Sequence, residues 1–282
     1  LFEAKRLGII LKNFAVFGNP IKHSLSPIIH SMFAEQLGIE LNYERCFVEV
    51  DSFTSSVKSF FDEGGQGLNV TVPFKEQAFQ ISNHLSERAK VAGSVNTLKQ
   101  HSDGSLFGDN TDGLGFELDL VKNLQWSIDR KNVLLIGAGG AARGILMNLL
   151  SLNPNKIHIF NRTPERAELL ASEFTEHGNI KSCLIQDLEE ENGFDFIINA
   201  TSASLQNTEI ALPASVISEA SSCYDLAYAS SATPFLEWAR VRGASISDGL
   251  GMLVEQAAES FFIWLGERPE TEYVIDHLRN IN

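Results

Sequence analysis

The chain has 282 residues, 44% of them hydrophobic and 21% charged, which are the proportions of a globular protein, and at about 100–200 residues per domain it divides into two domains, each able to bury a core. Its formal net charge of −14 excludes a general attraction to nucleic-acid backbones or anionic membranes, so an anionic ligand has to be met by local donors. Cys46, Cys183 and Cys223 are widely spaced without a CxxC pair, and the seven histidines form no HExxH-type pattern, which argues against a disulfide framework and against a metal site, and for a reducing cytoplasm.

The opening residues, LFEAKRLGII, lack the shape of a signal peptide, and no uncharged apolar run approaches the roughly 18 residues of a membrane span. NFAVFG then predicts a strand. In the following GNPIKHSLSPIIH, Ser26-Pro27 predicts a helix start with Ser26 as N-cap and Pro27 as the first helical residue, and the helix should run to about Leu37. Ser24 lies outside that helix, too early to cap it, in a turn after a strand where α/β proteins present polar groups to ligands. NYERCFVEV predicts a strand, the segment from about Phe53 to Phe61 a helix, and GLNVTVP a strand. On that strand Asn69 and Thr71 alternate and face one side, and Lys75 follows just after Pro73, so all three can reach one cleft. GSVNTL adds Asn96, and GDNTDG adds Asp109 and Asp112 in a glycine-flanked loop. Ordinary structural roles fit these residues too: a turn residue for Asn96, the N-cap of a helix beginning near Gly113 for Asp112, a surface charge for Lys75.

A second series of short apolar runs begins at KNVLLIGAGG and continues with KIHIFNRT, FDFIINAT, SCYDLAY and ASISDG, each a candidate parallel strand ending in a polar or glycine-rich loop. Alternation of such runs with helix-length amphipathic segments implies an α/β fold. The expected organisation is a first domain over 1–113, a second over 114–249, and a C-terminal segment, 250–282, led by GMLVEQAAESFFIWLG, that returns to the first.

In NVLLIGAGGAARGILMNLL a strand runs into Gly137, Ala138, Gly139, Gly140, Ala141 and Ala142, and a helix follows. GxGxxA between strand and helix lets the backbone approach a pyrophosphate and aims helix N-terminal N–H groups at it. About 20 residues further on, an NAD site carries an acidic residue for the ribose 2′-hydroxyl. Here the chain has Asn161, Arg162 and Thr163, with Arg166 one turn later. Two guanidinium groups and a hydroxyl suit a 2′-phosphate, which favours NADP over NAD, although a solvated, basic helix start would look the same. Given a nicotinamide cofactor, the first-domain residues acquire a chemical logic. Hydride transfer to a ketone leaves an alkoxide that must be protonated, and a lysine held by a carboxylate can do this, while neutral hydroxyls and amides register a polyhydroxylated substrate.

Through GNPIKHSLSP, GLNVTVPFK, AGSVNTL, GDNTDG, GAGGAARG, NRTPERA, INATS, YDLAY, TPF and DGLGMLVEQAA, in that order, the chain resembles the shikimate dehydrogenase family essentially end to end. The resemblance implies two α/β domains flanking a cleft: an N-terminal substrate domain with a mixed sheet, and a Rossmann-type NADP-binding domain. It implies the reversible NADPH-dependent reduction of 3-dehydroshikimate to shikimate, a cytoplasmic step of chorismate and aromatic amino-acid biosynthesis, in a monomer or homodimer that needs no metal, membrane or nucleic acid. By motif, Ser24 and Ser26 correspond to the pair that binds the substrate carboxylate, without a nearby arginine. Asn69, Thr71, Asn96, Tyr228 and Gln256 correspond to further substrate contacts, and Lys75 and Asp112 to the catalytic pair. Gly137 to Ala142 correspond to the pyrophosphate loop, Asn161, Arg162, Thr163 and Arg166 to the adenosine phosphate site, and Thr201, Leu226, Gly249 and Met252 to the nicotinamide side. Two departures fall on that side: Leu226 stands where many members carry Met, and NATSASLQN lacks the glycine that often follows NATS. The alternatives are a quinate/shikimate dehydrogenase using NAD, against which Ser24 and Arg162 argue, and a non-catalytic NADP-binding sensor, which would not need Lys75 and Asp112.

Overall fold

Two sets of backbone contacts divide the chain: residues up to Thr111 with Val254–Leu278 form one unit, and Asp112–Leu253 with the residues from Arg279 onward form the other. The computed structural model describes residues 11–190, 193–204, 208, 210–229 and 231–281; LFEAKRLGII, expected not to be a signal peptide, and Leu205 to Asn207 of NATSASLQN lie outside the described residues. The division falls two residues before the first expected boundary, because Asp112 already belongs to a helix of the second unit. It falls after the second expected boundary because Gly251 sits directly on Asp119, so that the start of the last long helix packs with the second unit.

The first unit contains β1 (Lys12–Gly18), α1 (Ser26–Leu37), β2 (Leu41–Phe47), α2 (Phe53–Asp62), β3 (Gly65–Val70), α3 (Lys75–Ile81), β4 (His84–Leu85), α4 (Glu87–Ala92), β5 (Thr97–Gln100) and β6 (Leu106–Asp109). Its sheet has the order β2-β1-β3-β5-β6-β4, with β5 antiparallel to both neighbours. Successive β1 residues serve opposite faces: Ala15 and Phe17 join Phe53, Phe61, Leu68 and Phe74, whereas Phe14 and Val16 join Tyr43 and Trp264. A central strand covered on both faces therefore shows as a continuous apolar run. Trp264 stacks on Phe14 with centroids 5.0 Å apart, and Gly67 lies so close beneath its indole that any Cβ would overlap the ring.

Two expected strands are shorter than their apolar runs. The first ends at Phe47, because Val50–Ser52 forms a 3₁₀ turn leading into α2. GLNVTVP leaves the sheet after Val70, because the Thr71 carbonyl accepts the Phe74 N–H at 3.0 Å in a turn, so Thr71 is not on the strand with Asn69. Strands β4, β5 and β6 escaped the sequence reading, being two to four residues long, too short to show a period.

The second unit contains α5 (Asp112–Leu118), β7 (Asn132–Ile136), α6 (Gly140–Ser151), β8 (Lys156–Phe160), α7 (Pro164–Phe174), β9 (Ile180–Cys183), α8 (Ile185–Glu190), β10 (Phe196–Asn199), β11 (Ser222–Asp225), α9 (Pro234–Arg240) and β12 (Ser245–Asp248). All six strands are parallel in the order β12-β11-β10-β7-β8-β9, the doubly wound dinucleotide-binding arrangement. The unpredicted strand is β9, whose sequence IKSC lies at the sheet edge and is half polar. Two helices close the chain, α10 (Leu250–Leu265) and α11 (Glu272–Ile281).

Candidate functional site

In the first sheet β1, β3 and β6 run one way and β5 the other, so the carboxyl ends of three strands and the amino end of the fourth share one edge. Ser24 and Ser26 follow β1, Thr71 and Lys75 follow β3, Asn96 precedes β5, and Thr111 follows β6. Backbone bonds lace these loops together. The Thr71 N–H donates to the Phe17 carbonyl at 2.9 Å, the Asn19 N–H to the Val72 carbonyl at 3.0 Å, the Val95 N–H to the Lys75 carbonyl at 2.9 Å, and the Asn96 N–H to the Asp109 carbonyl at 3.0 Å.

Ser26 is not the N-cap. It is the first residue of α1, preceded by Leu25 at the cap position, and Ser24 Oγ takes the Ser26 N–H at 3.3 Å. The hydroxyls of Ser24 and Ser26 lie 3.1 Å apart, forming a paired donor set at the start of a helix. An arginine does stand beside them, contrary to expectation: Arg45 Nε donates to the Ser24 carbonyl at 2.7 Å, brought there from β2, a neighbour the linear sequence does not reveal.

Behind this edge lies a buried network of neutral groups. Tyr43 Oη donates to Asn69 Oδ1 at 2.7 Å, and Asn69 Nδ2 donates to the Asn96 carbonyl at 3.1 Å and to Ser260 Oγ at 3.0 Å. Ser260 Oγ and Thr97 Oγ1 lie 2.7 Å apart. Asn96 Oδ1 accepts the Thr111 N–H at 2.9 Å, while Asn96 Nδ2 donates to Thr111 Oγ1 at 2.9 Å and Gln256 Oε1 at 3.3 Å. The structure thus brings Asn69, Asn96 and Gln256 together, with Asn69 bonded to protein at both ends of its amide. Sequence reasoning missed Tyr43, Thr97, Thr111 and Ser260, although Ser260 is one helical turn beyond Gln256 and Thr111 lies within GDNTDG. His30 stacks on Tyr43 with centroids 4.3 Å apart, and burial lowers its pKa to about 3, partly offset by Asn69, so the imidazole is neutral. Burial likewise pushes the Tyr43 phenol well above its ordinary value, and Ser26 acts in the opposite sense. Asp109 is held structurally: Arg88 forks onto its two oxygens at 2.7 Å each and Ser86 Oγ donates at 2.5 Å.

In the second unit Gly137 has φ +107°, and a Cβ there would stand 3.0 Å from the Ala200 carbonyl oxygen, so the tight exit from β7 requires glycine. Gly139 precedes α6 and Gly140 opens it; a Cβ on either would meet no protein atom within 4 Å. The helix N-terminus is therefore approachable by an anion along the exposed backbone of Gly139 and Gly140. Asn161 braces this loop, accepting the Ala138 N–H at 3.2 Å and donating to the Thr163 carbonyl at 2.8 Å. Thr163 occupies the cap position of α7 without a side-chain cap bond, and Arg162 and Arg166 are exposed, with no carboxylate pairing with either among the described residues. Glycine cradle, helix terminus and two available guanidinium groups fit the pyrophosphate and 2′-phosphate of NADP.

Further along the same sheet edge, Thr201 N–H and Oγ1 both donate to Asn199 Oδ1, at 3.0 and 2.7 Å. Gly249 presses against the Leu226 carbonyl where a Cβ would overlap it, and Met252 and Tyr228 are half-buried. Asp112 opens α5 as its first residue and Lys75 opens α3, both half-buried. Among the described residues no cluster of His, Cys, Asp or Glu could hold a metal ion, and no helix is long and apolar enough to cross a membrane.

Three family models match in order along the chain: the shikimate dehydrogenase substrate-binding domain over 16–98, shikimate/quinate 5-dehydrogenase over 119–222, and the shikimate 5′-dehydrogenase C-terminal domain over 249–279. The shikimate dehydrogenase (NADP(+)) of Methylococcus capsulatus is 50% identical over 266 residues, covering 94% of this chain and 95% of the relative. The chain belongs to the shikimate dehydrogenase family. The corresponding enzyme of Cellvibrio japonicus is 49% identical over 269 residues, covering 94% and 96%. A crystal structure of shikimate 5-dehydrogenase from Thermus thermophilus in complex with NADP(H) and shikimate superposes with a TM-score of 0.86 at 32% identity, covering 96% of this chain and all of that one. This family member is therefore an oxidoreductase, and its doubly wound unit is a Rossmann-type NADP-binding domain.

Proposed function

We propose that the polar edge of the mixed sheet is the substrate site of an enzyme that interconverts 3-dehydroshikimate and shikimate. Ser24 and Ser26 bind the carboxylate; Thr71, Asn96 and Gln256 bind hydroxyls; Asn69 holds Asn96 and Tyr43 in place. Tyr228 is assigned to the substrate by the family motif. In the other unit Gly137 to Ala142 bind the pyrophosphate of NADP, Arg162, Thr163 and Arg166 its 2′-phosphate, and Thr201, Leu226, Gly249 and Met252 flank its nicotinamide. When bound, NADPH supplies the hydride that reduces the ketone. Lys75 donates a proton to the oxygen on which negative charge develops, and the family motif assigns Asp112 as the second member of the catalytic pair.

The observation that carries this reading is the paired serine hydroxyls on the same sheet edge as Thr71, Lys75 and the Asn96–Gln256 contact. Uncharged donors backed by further uncharged donors suit a polyol, because each hydroxyl left unmatched penalises the wrong ligand. We place the enzyme in the cytoplasm as a monomer or homodimer without nucleic-acid or membrane partners, supported by the net charge of −14 and the free cysteines. Initial rates with shikimate or quinate, each with NADP or NAD, test the assignment. Turnover confined to shikimate with NADP is expected; comparable turnover of quinate with NAD would replace it by the quinate/shikimate reading, and no turnover by a sensor.

A further inference from the structure

The carboxyl edge of the parallel sheet holds a carboxylate that the reaction above does not use. Asp225 ends β11 in register with Asn199 on β10 and Asp248 on β12, and Asn199 is in register with Ile136, the residue before the glycine loop. Asp225 is completely buried, and among the described residues no cation pairs with it. Four neutral donors take its oxygens. Asn199 Nδ2 and the Ala227 N–H reach Oδ1 at 3.1 and 3.0 Å; Ser204 Oγ and Thr233 Oγ1 reach Oδ2 at 2.5 and 2.6 Å. A buried carboxylate without a counter-charge persists only while its lone pairs are occupied, and bonds to an ionised acceptor are the strong ones.

These donors come from different loops. Ser204 belongs to the loop after β10, Ala227 to the loop after β11, and Thr233 caps α9, accepting the Leu236 N–H at 3.3 Å. Asn199 extends the cluster in both directions, holding Thr201 through Oδ1 and the Leu226 N–H through its carbonyl at 2.9 Å. At one end Ala200 and Thr201 stand against Gly137 of the pyrophosphate loop; at the other the Leu226 carbonyl stands against Gly249, whose N–H donates to the Ala227 carbonyl at 3.1 Å. One carboxylate therefore ties together the backbone from the pyrophosphate loop to Gly249. Ser204 lies in NATSASLQN, the segment that runs on from β10.

We propose that Asp225 is a positioning residue for the nicotinamide end of NADP, acting through Ser204 and Thr233 on the two loops that flank it, and that the Ser204 hydroxyl sets how firmly this chain holds that end. The proposal rests on the reading of this unit as the NADP site. Calorimetric titration of the full chain with NADP and with 2′-phospho-ADP-ribose, which lacks the nicotinamide, separates the two ends of the ligand. Ser204→Ala frees its loop from Asp225, and re-ordering that loop around the nicotinamide is expected to weaken NADP binding severalfold, by about tenfold at most, while leaving 2′-phospho-ADP-ribose and the shikimate KM within about twofold. Ser204→Thr, which keeps the hydroxyl, should restore NADP affinity. Thr233→Ala makes the same test from the other loop should Ser204→Ala not give folded protein. Unchanged NADP affinity in Ser204→Ala, or equal loss for both ligands, would overturn the proposal. Wild-type protein that binds neither ligand would overturn the cofactor reading and the proposal with it.

Discussion

The two units hold their recognition groups in different ways. In the first, the groups proposed for the substrate hydroxyls are neutral side chains backed by others: Gln256 by Asn96, Asn96 by Thr111, and behind them Asn69 by Tyr43, Ser260 and Thr97. In the second, the groups proposed for the pyrophosphate are main-chain N–H groups at the start of α6, and what matters there is the absence of side chains at Gly139 and Gly140. A side-chain network fails when a member is removed, because the partners left behind are buried and unsatisfied. A backbone cradle fails when atoms are added. The first unit should thus couple recognition to stability, while the second should separate them.

The strongest test of the first unit is Lys75→Ala. Loss of the proton donor should lower turnover by roughly 10² to 10⁴, with a smaller change in the shikimate KM. A variant with normal turnover and weak binding would make Lys75 a substrate anchor and leave the proton transfer to another group.

A paired experiment addresses the contrast itself. Asn69→Ala takes away the acceptor of the Tyr43 hydroxyl and one of the donors to Ser260, and should cost about 1–3 kcal/mol for the buried hydroxyl left without its acceptor, seen as a lower denaturation midpoint together with a raised shikimate KM. Gly140→Ala, by contrast, introduces a Cβ that meets no protein atom within 4 Å. It should leave stability unchanged or raise it by about 0.4–1 kcal/mol while raising the KM for NADP. If Asn69→Ala lost only stability, or Gly140→Ala only stability, the distinction between the units would not hold.

Ser24→Ala and Ser26→Ala should each weaken shikimate binding by about tenfold, the loss of one hydrogen bond to a charged group, with NADP binding retained. Since neither serine caps α1 in the expected way, large shifts in melting temperature are not expected; a melt-only phenotype would return Ser26 to a purely structural role.

The smallest effect is a pH dependence confined to the first unit. His30 has a folded pKa lowered to about 3 by burial, below the ordinary value of 6.5. Folding therefore favours the neutral imidazole, so the contribution is fully present above pH 6.5 and is lost as pH falls toward the folded value. Between pH 6.5 and 5.5 this costs about 1 kcal/mol. His30→Phe should flatten that part of the stability–pH curve measured by urea denaturation. An unchanged slope would assign the acid sensitivity to other groups.

Much of the chemistry could be recognised in the linear sequence because it depends on short segments. A GxGxxA turn between a strand and a helix, and two arginines without an acid at the ribose-reading position, have local consequences that no distant contact alters, and the same holds for the short apolar runs that mark β1, β7, β8 and β10. Boundaries and partners depended on the fold. Strands of two to four residues such as β4, β5, β6 and β9 have no period of their own and exist because a neighbouring strand offers hydrogen bonds. Thr71 leaves its strand because a turn competes for its carbonyl, and Arg45 meets Ser24 across 21 residues because β2 pairs with β1. Tyr43, Ser260 and Asp225 were invisible as a supporting layer for the same reason. A buried polar group is placed by the partners that satisfy it, and for Asn69 and Ser260 those partners are 191 residues apart.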